Sequence, residues 1–242
     1  KNVHLSSISG GTDIVSCFVL GNIYQPVHIG EIQNKGLALN VDIFNDKGKP
    51  IKNSKGELVC KNPFPSMPLK FWNDKNDNKF KDAYFDRFSN TWYHGDFAEI
   101  KKTRGFVIHG RSDTTLNPGG VRLGTAEIYS EVEKFKEIKE SIVVGQSWDN
   151  DVRIILFIVM NAKFFLTDDL LKKIKLQIRK NASPRHVPSK IIVINDIPRT
   201  KSGKIVELAV KNTIEGNKIK NKEALANPKT LEQFKNLKEL SN

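Results

Sequence analysis

Apolar positions in the first half of the chain come in short bursts, each closed by Gly, Asp or Asn. From Gln25 to Cys60, Gly30-Glu31-Ile32, the stretch Leu37 to Phe44 and Gly56 to Val59 alternate with turns such as Asn45-Asp46-Lys47-Gly48. This spacing predicts a small β-barrel or meander of short strands. Residues 61–82, rich in Pro, Asn, Asp and Lys, read as an exposed loop. Strand character resumes between Tyr93 and Ile108, in Phe97-Ala98-Glu99-Ile100 and in Gly105 to His109.

After Arg111-Ser112-Asp113 the pattern changes to alternating helix and strand, the mark of an α/β or α+β unit, so the domain boundary is predicted there. Ile128, Val132, Phe135 and Ile138 recur at helical spacing and predict a helix over Glu127 to Ile138. Ile142 to Gly145 and Arg153 to Met160 read as strands. A second helix is predicted to open on Thr167 as N-cap, with Asp168 and Asp169 in its first turn and Leu170, Leu171, Ile174 and Ile178 on one face. Lys190 to Asn195 is a further strand, Ile197 to Gly203 a loop, and Ile205 to Ile214 a last helix. The lysine-rich tail from Gly216 reads as peripheral, and no internal repeat is visible.

Composition narrows the class. The 242 residues are 38% hydrophobic, 9% aromatic and 27% charged, which supplies a core and excludes a chain disordered throughout. Cys17 and Cys60 stand far apart without CxxC spacing, which excludes a disulfide scaffold and a cysteine-built zinc site and fits a reducing compartment. The longest apolar run, Ile154 to Met160, is far short of the roughly 20 residues of a spanning helix, so a soluble, cytoplasmic protein is expected. Lys1 opens the chain without a methionine and its first residues read like the middle of a domain, so a fragment is expected. The net charge of +12 raises nucleic acid, anionic lipid or a polyphosphate ligand as partners. It leans C-terminal, with 16 basic against 12 acidic residues through Asp113 and 23 against 15 beyond it.

Several segments carry candidate chemistry. The basic loop Pro198-Arg199-Thr200-Lys201-Ser202-Gly203-Lys204-Ile205 lacks the earlier glycine of a Walker phosphate loop and has Ile205 where a hydroxyl would hold magnesium. A lysine between a glycine and a helix is nonetheless a mobile charge suited to an oxyanion or a reacting phosphate. Gly110-Arg111-Ser112-Asp113 and Asn117-Pro118-Gly119-Gly120-Val121-Arg122 combine glycines that admit a ligand closely with guanidinium groups that grip phosphate. His94-Gly95-Asp96 offers a carboxylate for a ribose diol, and Ser9-Gly10-Gly11-Thr12-Asp13 offers backbone donors, a hydroxyl and a metal-capable carboxylate. Taken singly, each is also what a solvated turn looks like. His94 and His109 have no partner at a metal-site spacing, which excludes zinc.

The order of these segments decides more than any one of them. With SISGGTDIVSCF, GELVC followed by PFPSMPLKFWND, HGDFAEI, IHGRSDTTLNPGGVR, GTAEIY, NASPRHVP, IPRTKSGKIVELAVK and EALANP in sequence, the chain resembles the C-terminal part of the adenylate-forming acyl-CoA synthetases over nearly its whole length. The wording of the boxes is closest to members acting on acetoacetate.

The resemblance implies that residues 1–112 are the β-rich C-terminal portion of a large AMP-binding N-terminal domain and 113–242 a small, mobile α+β lid domain with its hinge at Asp113. It implies ATP, CoA and Mg2+ as cofactors, and two half-reactions, in which the acid and ATP give an acyl-adenylate and CoA then displaces AMP. Gly10, Gly11, Thr12, Asp96, Arg111 and Arg122 would bind the nucleotide, and Asp13, where most of the family has Glu, would help hold magnesium. Lys204 would be the catalytic lysine of adenylation. Gly119, Gly120 and Arg179 would serve CoA. The Ser/Thr/Gly-rich phosphate loop and most of the acyl pocket belong upstream, so the chain alone is expected not to turn over. Two alternatives stay open: a related ligase for another acid, such as acetate or a longer 3-oxo acid, and a basic nucleic-acid-binding module. The module lacks a recognised motif and interleaved aromatics, so no nucleic-acid partner is expected.

Overall fold

Short strands closed by tight turns pair most readily with their neighbours in sequence, and the first 112 residues do so. A computed structural model describes residues 3–219 and 221–241. The chain divides into two compact units, Lys1–Ser112 and Asp113–Asn242. In the first, β1 (Ser9–Gly11), β2 (Ser16–Leu20) and β3 (Asn34–Lys35) form a small antiparallel sheet in that order. Strands β4 (Val41–Phe44) and β5 (Lys55–Cys60) continue, after helix α1 (Asn78–Tyr84), into β6 (Trp92–Ile100) and β7 (Phe106–Arg111). These four form an antiparallel meander in chain order, the outcome expected from the alternating bursts and turns. Phe18, Val41, Ile43, Leu58, Trp92, Ala98 and Phe106 fill the core.

Residues 61–82 are not the exposed loop their polarity predicts. Phe64 and Phe80 are buried, and both set their edges against Trp92, at centroid distances of 5.4 and 6.2 Å. Tyr84 at the end of α1 stacks on the same indole at 3.7 Å. The Asp74 carboxylate accepts from the backbone N–H groups of Lys79 and Phe80 at 3.1 and 2.8 Å, fixing the start of α1. A few aromatic side chains bury enough area to draw in a segment whose average composition is polar.

The second unit is built on a three-stranded sheet. Helix α2 (Ala126–Val132) precedes β8 (Ile138–Trp148) and β9 (Asp151–Met160); α3 (Asp168–Asn181), β10 (Lys190–Val193) and α4 (Glu207–Ile214) follow. Strand β9 is central, antiparallel to β8 and parallel to β10. Its unbroken apolar run is explained by burial on both faces. Ile154, Leu156 and Ile158 face α2 and α3, whereas Ile155, Phe157 and Val159 face the α4 side. Thr167 caps α3 as expected, its hydroxyl accepting from Leu170 N at 3.2 Å. Leu170, Ile174 and Ile178 are buried, while Leu171 is only half-buried.

Two expectations fail here. The helix expected to reach Ile138 ends at Val132, and Ile138 instead opens β8. Phe135 and Ile138 still pack into the α2/α3 core, so their spacing reports the buried face and not the backbone conformation. The tail from Gly216 is also not peripheral. Leu225, Leu231, Phe234 and Leu240 are buried on the α4 face of the sheet, and Phe234 meets Phe157 edge-on at 4.9 Å. Arg153 Nη2 donates to the Leu240 carbonyl at 2.5 Å. One short helix cannot cover that face of a three-stranded sheet, and the spaced apolar residues of the tail complete it. Among the described residues, no helix is long and apolar enough to cross a membrane.

Replacing Phe234 with Ala is expected to destabilise the second unit by about 3–5 kcal/mol in denaturant unfolding of the chain, the usual cost of emptying a large aromatic site. A loss below about 1 kcal/mol would contradict the placement of the tail in the core.

Candidate functional site

In the first unit the close approach of backbones sets the site. A Cβ on Gly10 would overlap the Ser16 carbonyl, and one on Gly11 would overlap the Asp13 carboxylate and lie 2.6 Å from His94 Cε1. The two glycines therefore let the β1 turn lie against β2 and the His94 ring. Thr12 and Asp13 stand exposed in that turn. Asp13 Oδ2 accepts from the Tyr84 hydroxyl at 2.7 Å, and its Oδ1 accepts from Ile14 N at 3.2 Å. Burial, then the bond to the Asp13 carboxylate, pushes the Tyr84 phenol well above its usual range, so it stays protonated and donates.

Asp96 on β6 stands opposite Arg111 on β7 in register. Its carboxylate is nearly buried, and Oδ1 accepts from Arg111 Nη1 at 3.1 Å; the same guanidinium nitrogen donates to the His94 carbonyl at 2.9 Å. His94 Nε2 lies 3.9 Å from Asp96 Oδ2. On its other side the ring accepts at Nδ1 from Trp92 Nε1 at 3.4 Å and meets Phe18 in a T-shaped contact at 4.7 Å. Burial, which outweighs the nearby Asp96 and Asp13 carboxylates, lowers the imidazole pKa below its ordinary 6.5. The structure thus brings Gly10, Gly11, Asp13, Asp96 and Arg111 together around a neutral histidine.

Below Arg111 the chain is anchored by a residue the sequence reading left unassigned. Glu57, from the GELVC box, is fully buried; it accepts from the Ser112 hydroxyl and pairs with Arg87 Nη1 at 2.9 Å. Arg87 also bonds Asp46 at 2.7 Å and lies over the Tyr93 ring at 5.3 Å. A carboxylate inside an otherwise apolar strand was the available signal, because a buried charge requires partners. Tyr84 and Trp92 were likewise missed, hidden in or beside the polar 61–82 stretch.

In the second unit, Asp113 is the exposed first residue. Leu116 and Leu123 pair through reciprocal backbone bonds of 2.9 and 2.8 Å, closing the turn that carries Gly119 and Gly120. Both glycines have positive φ, 58° and 73°, a conformation that favours glycine. Gly119 N–H donates to both Asp151 carboxylate oxygens at 2.8 and 2.9 Å. Arg122 Nε bonds the Thr115 hydroxyl at 3.1 Å. Arg179 is exposed in the last turn of α3, whereas the guanidinium beside the Gly119 turn is that of Arg185, whose Nη1 lies 3.7 Å from the Gly119 Cβ position.

Lys204 stands just past the tip of a tight hairpin, in its second arm opposite Thr200. Arg199 pairs with Ile205, Thr200 N donates to the Lys204 carbonyl at 2.9 Å, and Lys204 N donates to the Thr200 hydroxyl at 3.1 Å. Residues 201–205 are exposed. Behind the hairpin, at the start of α4, Glu207 Oε1 accepts from the Tyr129 hydroxyl at 2.5 Å, and that hydroxyl accepts from Val143 N at 3.0 Å. The arrangement holds the backbone firmly and leaves a cation free to meet an anion.

Known proteins resemble this chain over nearly all of its length. Residues 127–204 match the AMP-binding enzyme C-terminal domain. The chain is 61% identical over 239 residues to acetoacetyl-coenzyme A synthetase of Rhizobium meliloti (strain 1021), across 99% of this chain and 37% of that protein. It is 48% identical over 244 residues to the acetoacetyl-CoA synthetase of Gallus gallus, across 100% of this chain and 37% of that one. The solved acetoacetyl-CoA synthetase from Streptomyces lividans superposes with a TM-score of 0.90 at 40% identity, over 98% of this chain and 36% of that structure. The likeness is thus to the AMP-binding class of enzymes, by the domain matched at residues 127–204 and by relatives similar over nearly the whole of this chain. Within that class the relatives named here are acetoacetyl-CoA synthetases, and the chain spans a little over a third of their length.

Because its folded pKa lies below the ordinary 6.5, His94 is expected to be mainly neutral at pH 6.5, with a titration midpoint beneath it. The unfolded chain then binds the extra proton first, so the stability the buried ring contributes is full above the ordinary value and is lost as pH falls through the window beneath it. Histidine NMR titration checks the midpoint, and a value at or above 6.5 would contradict the site as described.

Proposed function

We propose that this chain is the C-terminal part of an ATP-dependent acid–thiol ligase that joins acetoacetate to CoA. The intact enzyme would form acetoacetyl-adenylate and pyrophosphate, after which the CoA thiolate attacks the acyl carbon and AMP leaves. The observation that carries this reading is the 61% identity, over 99% of the chain, to a protein named acetoacetyl-coenzyme A synthetase. The basic nucleic-acid-binding module gains nothing from these matches.

Each assigned role has a physical basis. Asp96 takes the ribose hydroxyls, for which a nearly buried carboxylate already oriented by Arg111 is suited. Arg111 reaches the ribose from the same pair, and Arg122 takes the phosphates. Gly10, Gly11 and Thr12 present backbone and a hydroxyl to the nucleotide and acyl phosphate. Asp13 fits a magnesium ion held mainly by substrate phosphates, since Mg2+ commonly takes only one or two protein carboxylates. Bound there, the ion would supply charge neutralisation on the phosphates.

Lys204 is the catalytic residue of adenylation. Its ammonium bridges the attacking carboxylate and the α-phosphate, where negative charge shifts as the P–O bond to pyrophosphate breaks. Asp113 is the pivot that withdraws it before thioester formation, when the Gly119–Gly120 turn serves the pantetheine arm. Arg179 meets a CoA phosphate, and Arg185, beside Gly119, supports an anion in the same region. The free thiols of Cys17 and Cys60 suit a reducing, cytoplasmic compartment.

In the intact ligase, Lys204→Ala is expected to slow adenylate formation about 10²–10³-fold while leaving CoA transfer from supplied adenylate intact. Single-turnover assays of the two steps check this; equal loss of both rejects the assignment. The 242-residue chain alone is expected to release no pyrophosphate from acetoacetate and ATP. Turnover by the purified chain would disprove that division between fragment and parent.

A further inference from the structure

The Lys204 hairpin is not closed by its own residues alone. Its first arm, residues 199–201, pairs on one side with residues 203–205, and on the other it receives a segment of the C-terminal tail. Lys201 N donates to the Ala224 carbonyl at 3.1 Å, Ala226 N donates to the Arg199 carbonyl at 2.8 Å, and Thr200 stands opposite Leu225 in an antiparallel bridge. The tail is thus a third strand laid against the hairpin base.

One side chain ties that strand to the turn leading into the hairpin. Asn227 Oδ1 accepts from Arg199 N at 2.8 Å, while its Nδ2 donates to the Ile197 carbonyl at 2.9 Å and to Asp196 Oδ2 at 2.8 Å. Gln233 adds two more bonds, accepting from Asn195 N at 2.8 Å and donating to the Asp196 carbonyl at 2.7 Å. Leu225, Leu231 and Phe234 fix the segment in the core. The hairpin base is therefore held by a part of the chain 20 or more residues downstream, yet residues 201–205, Lys204 among them, stay exposed.

We propose that the tail segment 224–227 is a positioning element for Lys204, and that Asn227 is its principal positioning residue. The proposal rests on the adenylation role given to Lys204 above. A cation that stabilises charge in a transition state must be placed closely, and a shift of about 1 Å can cost about 10²-fold in rate. Asn227 acts by satisfying a donor and an acceptor on both sides of Pro198, so that the arm enters the hairpin at one fixed angle. An aspartate at the same place could still accept from Arg199 N, but it could not donate to Ile197 and would face the Asp196 carboxylate.

The test has two arms. In the 242-residue chain, Asn227→Ala is expected to raise amide hydrogen exchange across residues 198–205 by about tenfold or more while exchange in β8 and β9 stays unchanged, a local opening and not a global one. In the intact ligase the same variant is expected to lower kcat for adenylation about tenfold with KM for ATP unchanged and thioester formation from supplied adenylate intact. Asn227→Asp is expected to behave like the alanine variant at pH 8 and to recover as pH falls, once a proton shared with Asp196 restores a donor. Unchanged exchange in residues 198–205 overturns the proposal, as does faster exchange with adenylation unaffected. If Lys204→Ala leaves adenylation untouched, the assignment of Lys204 falls and the proposal with it, whereas a normal Lys204→Ala defect beside an inert Asn227→Ala overturns the proposal alone.

Discussion

Strand β9 is apolar on every side chain from Ile154 to Val159, and both of its faces must be covered. That requirement organises the second unit. Helices α2 and α3 cover one face. The other needs α4 and also the tail, because α4 is only eight residues long. Once Leu231 and Phe234 are drawn onto the sheet, the chain that links them to α4 must pass the base of the Lys204 hairpin. The strand formed there gives the hairpin arm hydrogen-bond partners that water would otherwise supply, in a register set by the core. A hydrophobic constraint thereby becomes a geometric one at the residue assigned to chemistry.

The first unit solves a different problem, that of keeping charged and polar groups in place near a buried ring. Asp96 is tolerable at low exposure because Arg111 pairs with it and His94 stands beside it. His94 in turn is held neutral by burial among Phe18, Trp92 and the glycine turn. Glu57 is ion-paired to Arg87 and accepts from the Ser112 hydroxyl, which fastens the last residue before Asp113 to the meander core.

The sequence makes some of this legible and hides the rest for identifiable reasons. The meander, the capped helix at Thr167 and the change of texture at Asp113 rest on local signals, namely turn residues, a cap and periodicity, and local signals are visible one segment at a time. Phe135 and Ile138 mislead because burial on one face imitates helical spacing even where the backbone has turned into a strand. The tail and residues 61–82 mislead for the opposite reason: a few apolar side chains, decisive for packing, are outnumbered by lysines and asparagines that face solvent. Candidate residues held in motifs stand out in the sequence, whereas Glu57, Tyr84, Arg185 and Asn227 emerge only when distant segments are brought together.

The central claim is that the cation on this hairpin meets the reacting acyl phosphate. The most direct measurement is a crystal structure of the intact ligase with a non-hydrolysable acyl-adenylate analogue. Lys204 Nζ is expected within hydrogen-bonding reach, about 3 Å, of the acyl or phosphate oxygens in the adenylation state, with the 224–227 strand still paired to the hairpin. A structure in which another cation holds those oxygens and the Lys204 hairpin faces solvent would contradict it.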